Sequence, residues 1–155
     1  MRFVIAAALT VFASSVFAET LGYGSRAGME VTVVSKSDIG TTHAIITVKH
    51  TKANAVAYCR DYVGKVTPKC VRDELNVPLA ASISANCETG KFSTLNGEGF
   101  TLSGRNPNYD PNEAVSQPEY LLLSLASGEA VGGSSADGYD VALEQFKALC
   151  PNRLK

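Results

Sequence analysis

The residues best equipped for chemistry are four cysteines, Cys59, Cys70, Cys87 and Cys150, together with two histidines, His43 and His50. Four thiols offer redox exchange, metal ligation or cross-linking, and their spacing separates these. No two stand as Cys-x-x-Cys, so the thiol oxidoreductase motif is missing, and intervals of 11, 17 and 63 residues fit no compact zinc site. An even number of cysteines in an oxidising compartment pairs into disulfides. Cys59 and Cys70 flank a helix breaker running from Gly64 to Pro68. On one unbroken helix they would lie about 16 Å apart, beyond bridging range, whereas a helical hairpin brings them face to face. The expected pairs are therefore Cys59 with Cys70 and Cys87 with Cys150.

A histidine would be the usual base or metal ligand near neutral pH. His43 and His50 are seven residues apart, near the ends of one predicted strand, so opposite parity sends them to different faces as partly exposed strand-end side chains. No metal site is expected from them. No Gly-x-Ser-x-Gly elbow is present. The run Gly132-Gly133-Ser134-Ser135-Ala136-Asp137-Gly138 leads into the last predicted helix. Its amides could receive an anion or a partner's carboxylate, while its simpler role is a loop in which Ser135 or Asp137 caps the helix. It lacks the Lys-Ser/Thr ending of a P-loop. Asn106, Asn108, Asp110, Asn112 and Glu113 alternate like calcium ligands, but Pro107 and Pro111 interrupt the run and too few are carboxylates. Tyr109 and Tyr120 bracket this stretch as candidate interface anchors. The candidate binding residues are thus Tyr109, Asp110, Tyr120, Ser134, Ser135 and Asp137. No cofactor motif is present.

These groups must be positioned by a short set of elements. Arg2, the apolar stretch from Phe3 to Phe12 and Val16-Phe17-Ala18 have the layout of a secretory signal peptide, which places 1–18 in a leader and 19–155 in a single domain. With Arg2 removed, 13 basic residues face 15 acidic ones without any basic stripe, which disfavours nucleic acid and an anionic membrane surface as partners. No later apolar run has spanning length. Residues 19–28, rich in glycine, read as a flexible or loosely docked start. Met29 to Val34 and His43 to Lys49 read as strands joined by a polar loop over 35–42. Thr51 caps a helix to about Val63, and Thr67-Pro68 opens a second to about Leu75.

Ala81 to Cys87 alternates cleanly. Lys91 to Leu95 and Phe100 to Ser103 flank the hairpin turn Asn96-Gly97. A long irregular segment over 104–118 follows. Tyr120 to Leu125 reads as a strand, with a shorter one ending at Val131. Tyr139 to Cys150 recurs at helical spacing up to Pro151.

Hairpin-length connections imply an α+β fold: an antiparallel sheet of about five to seven strands, a helical hairpin and a C-terminal helix packed on one face, and two disulfides. The absence of any recognisable nucleophile, together with this stapled scaffold, points to a periplasmic or secreted, non-catalytic binding or envelope protein. It would be an adaptor, inhibitor or immunity-type module whose surface loops meet another exported or envelope protein. The alternatives are a small cell-envelope hydrolase using His43 or His50 with a nearby Asp or Glu, and a small-ligand carrier.

Overall fold

The computed structural model describes residues 18–112, 117–134 and 138–154. Seven strands form one antiparallel sheet in sequence order: β1 (Thr20–Gly22), β2 (Glu30–Ser37), β3 (Ala44–Lys49), β4 (Ser82–Asn86), β5 (Lys91–Ser93), β6 (Gly99–Arg105) and β7 (Tyr120–Ser124). The helices α1 (Lys52–Asp61) and α2 (Pro68–Leu75) are inserted between β3 and β4, and α3 (Tyr139–Leu149) follows β7. The chain is α+β, with the disulfides Cys59–Cys70 and Cys87–Cys150. The expected leader lies outside the described residues. Among the described residues no helix is long and apolar enough to cross a membrane.

Two expectations are corrected at the N-terminal end. The glycine-rich start contains β1, whose Leu21 pairs with Val31 and is buried; only backbone pairing reveals so short a strand. Strand β2 continues to Ser37, beyond the predicted Val34, because its exposed polar end still pairs with Ile45, Ile46 and Thr47 of β3. A register shift between Val33 and Ser35 leaves Val34 outside the ladder and exposed, as a bulge does. The segment expected to end in a strand at Val131 makes only a single bridge, Leu123 with Ala130.

The sheet curls around α3. Alternation along the strands sends Val31, Ile46, Ile83, Ala85, Phe92, Phe100, Leu102 and Leu122 inward, where they pack on Phe146, Leu149 and Cys150. Phe92 lies 5.0 Å from Phe146 and 5.7 Å from Phe100, centroid to centroid. The polar groups of α3 secure it at several places. The fully buried Gln145 accepts from the Leu95 N–H at 2.9 Å through Oε1 and donates from Nε2 to the Gly22 carbonyl at 2.7 Å. The Tyr139 hydroxyl donates to the Tyr120 carbonyl at 2.8 Å and accepts from the Tyr120 N–H at 3.2 Å. Gly90, with φ +76°, turns β4 into β5 where a Cβ would meet the Leu102 carbonyl oxygen at 2.6 Å, so only glycine fits.

The hairpin of α1 and α2 has its own small core of Ala55, Cys59 and Val71, which the Cys59–Cys70 disulfide closes. Thr51 and Asn54 form a capping box, and Thr32 on β2 also donates to Asn54 Oδ1, tying the helix start to the sheet. Gly28, with φ +77°, lies flush on α1, where a Cβ would come within 2.6 Å of the Tyr58 Cα. Helix α1 stops at Asp61, two residues before the predicted Val63, as Gly64 with φ +76° turns the chain.

Closing a separation of 63 residues restricts the unfolded chain more than closing one of 11, by about 4 against about 3 kcal/mol in the chain-entropy model. Replacing Cys87 and Cys150 by Ala should lower the denaturation midpoint more than replacing Cys59 and Cys70; the reverse order would show that loop length does not govern these bridges. Gln145→Leu should cost about 2–4 kcal/mol in chemical denaturation, since it strands a buried N–H and a buried carbonyl. A loss below about 1 kcal/mol would mean that water replaces both bonds.

Candidate functional site

The candidate residues fall into three places. In the β6–β7 connection, Asn106 is buried, its side chain donates to the Pro118 carbonyl at 3.0 Å, and its Oδ1 accepts from the Asn108 N–H. Asp110 is exposed, and its Oδ1 accepts from both the N–H and the side-chain amide of Asn112. These oxygens are spent on turns, and among the described residues no group of three or more His, Cys, Asp or Glu is placed to hold a metal ion. Glu113 lies outside the described residues. Tyr109 is half-buried with the Arg105 guanidinium 6.0 Å from its ring centre. Tyr120 is half-buried in β7, opposite Arg105 in the ladder, and its backbone is the one held by Tyr139. Tyr120 therefore supports the loop's base.

Ser134 is exposed at the end of the Gly/Ser segment, while Ser135 and Asp137 lie outside the described residues. The N-cap position of α3 is held by Gly138, with φ +73° and no side-chain cap bond, rather than by either of those two residues. The positive φ explains a glycine there.

The histidines are indeed separated. His43 is exposed just before β3, its Nδ1 2.8 Å from the Thr42 hydroxyl, beside a shallow depression on the outer face of the sheet that also involves Ile45, Ser84, Lys91 and Leu125. His50, expected as a partly exposed strand end, lies just after β3 and is largely enclosed. Its side chain is only 11% exposed, its ring meets Tyr23 edge-on at 5.5 Å, and its Nε2 lies 3.7 Å from Glu74 Oε1. Glu74 sits on the inward side of α2 and is buried. Both His50 ring nitrogens, Glu74 Oε1 and the Tyr23 hydroxyl are enclosed without a hydrogen-bond partner among the described residues. Burial pushes the Glu74 carboxyl above its ordinary value and the His50 imidazole below its own. Glu74 and Tyr23 escaped the sequence reading. The signal was the helical spacing of Glu74 from Val71, which places an acid on the buried face of α2.

Between its helices the hairpin carries an apolar groove of about 380 Å³, lined by Val56, Val66, Pro68, Val71 and Leu75. Val66 is 49% exposed and Leu75 38%. Lys52 and Arg72 also line the groove. Neither forms an ion pair among the described residues, in contrast to Arg60 with Asp61 and Lys69 with Asp73. Tyr62, 45% exposed, stacks on Tyr58 and carries the Arg26 guanidinium 4.7 Å from its ring centre. No protein-family model matches the chain, nor does any curated protein or solved structure.

A raised carboxyl holds its proton more tightly in the fold than in the open chain. Its stabilising contribution is complete below the ordinary value of about 4.5 and is lost as pH rises through the folded value. Glu74→Gln should accordingly match the wild type in thermal stability near pH 4 and exceed it increasingly toward pH 8. A variant less stable than wild type at pH 8 would mean instead that Glu74 is ionised there and held by a charged His50.

Proposed function

We propose that this is an exported, non-catalytic binding protein, an adaptor, inhibitor or immunity-type envelope module, which meets another exported protein through its helical hairpin. The observation that carries the reading is the open apolar groove between α1 and α2, held on a disulfide-closed support. Aliphatic side chains half exposed in a concave, rigid surface are what a partner's apolar anchors fill. The leader-like N-terminus and the two disulfides support export to an oxidising compartment. The β6–β7 loop with Tyr109 and Asp110 serves as a secondary contact, since Asn106 holds only its base.

The hydrolase alternative has one observation in its favour, His50 beside Glu74. Against it, His50 is enclosed and meets no hydroxyl or thiol by hydrogen bond among the described residues, so a nucleophile to activate is missing there.

Photo-crosslinking residues placed singly at Val66, Leu75 and Tyr109 of the exported protein test the reading. A discrete adduct is expected from Val66, lost when the exposed Leu75 is also changed to Asp, and from Leu75, lost when the exposed Val66 is, with at most a weaker adduct from Tyr109. Adducts from Tyr109 alone would move the docking surface to the β6–β7 loop, and none from any position would remove the binding reading.

A further inference from the structure

From the placement of Lys52 and Arg72 beside the apolar groove of α1 and α2, we infer that the groove's partner is an acidic amphipathic helix of another exported protein. This rests on the docking role of the hairpin given above and adds the chemistry of what docks. The groove's lining runs along α2 from Pro68 to Leu75 and takes Lys52 and Val56 from α1, so it offers about 12 Å of length, enough for about two turns of a partner helix. Apolar side chains at i, i+3 or i+4, and i+7 of that helix reach the aliphatic floor of Val56, Val71 and Leu75, in the helix-in-groove mode.

Charge decides the sign of the partner. Lys52 and Arg72 both line the groove and both lack an acid among the described residues. Lys52 also occupies the first position of α1, which has no acid in its first turn. A cation there opposes the helix dipole, where folding alone favours a carboxylate. A partner acid seated against Lys52 relieves that opposition. Glu74, the acid of α2 nearest in sequence to Leu75, is turned inward and buried, so it cannot neutralise the rim. Asp73 is held by Lys69.

An anionic membrane fits these observations less well than a protein helix does. The apolar side chains are recessed between helices, whereas an interfacial anchor projects them, and the cations at the rim are only two.

The test titrates the oxidised protein with three synthetic peptides of about eleven residues, long enough to span the groove with a residue or two to spare at each end. One is an amphipathic helix with Glu and Asp on its polar face, one has the same apolar face with Lys instead, and one is a scramble of the first. Nuclear magnetic resonance shifts locate the binding. The acidic helix should perturb Val56, Val66, Val71 and Leu75, and its affinity should fall with added salt. Combined Lys52→Glu and Arg72→Glu should weaken it about tenfold or more and let the Lys peptide bind instead. Both changes are on the surface, and an unchanged melting temperature verifies that the fold is kept.

Equal binding of the acidic and Lys peptides, or indifference to the double reversal, would overturn the acidic partner. The groove would still stand as a docking site if the Val66 crosslink persists. Flotation with vesicles of anionic phospholipid, abolished by the same reversal, would overturn it in favour of a membrane. Self-association abolished by Val66→Asp would overturn it in favour of a second copy of this chain. No peptide binding combined with no crosslink from Val66 would remove both the partner and the docking role.

Discussion

Enclosure of α3 by the curled sheet is the constraint on which the rest of the structure depends. A sheet of seven sequential antiparallel strands has one apolar face and no second sheet to cover it. That face is covered chiefly by the eleven residues of α3, of which Phe146 and Leu149, with Cys150 just after them, are fully buried against it. Apolar contact brings the helix in but does not fix its rotation or its depth, because burial is non-directional. The directional terms come from Gln145, which joins β1 to the β5–β6 turn through one amide, from Tyr139 on β7, and from the Cys87–Cys150 bridge to the end of β4. Strands far apart in the sheet are thus held at fixed distances by one helix. This allows an open sheet to behave as a closed one.

The hairpin is organised differently. Its core is only Ala55, Cys59 and Val71 with a few half-buried neighbours, too little to stabilise two short helices unaided, and the disulfide supplies the remainder. Its seat on the body is polar where a core is normally apolar: His50, Glu74 and Tyr23 meet there with unmatched atoms. Groups left so are costly, and they lie at the joint between the hairpin and the sheet, away from the main core. The joint therefore sets how firmly the proposed docking surface is carried.

Much of this was legible in the residues. The Gly64 and Pro68 breakers between Cys59 and Cys70 declared the hairpin and its bridge. The parity of Ile83, Ala85 and Cys87 declared the inner face of β4, and Asn96-Gly97 marked the turn before β6. What escaped did so for physical reasons. Strand β1 is three residues beside glycines, with no periodicity to detect, and exists through its pairing with β2. The exposed end of β2 is polar on both faces and so looked like loop. Glu74 went unnoticed and the depth of His50 was underestimated because a charged or titratable residue belongs in water by default, and only tertiary packing shows when it is enclosed. The groove was invisible for a related reason. Val66 and Leu75 are ordinary apolar residues, and their exposure is a property of two helices side by side.

The position of α3 at the end of the chain has a kinetic side. As the polypeptide is made from its N-terminus, neighbouring strands can zip together in order, since each pairs with the next. Yet no intermediate lacking α3 can bury the sheet's apolar side, and Cys87 has no native partner to meet until Cys150 has emerged. The strands can thus be assembled early while compaction of the core waits for the helix that covers it, so the order of the elements along the chain separates pairing from burial in time.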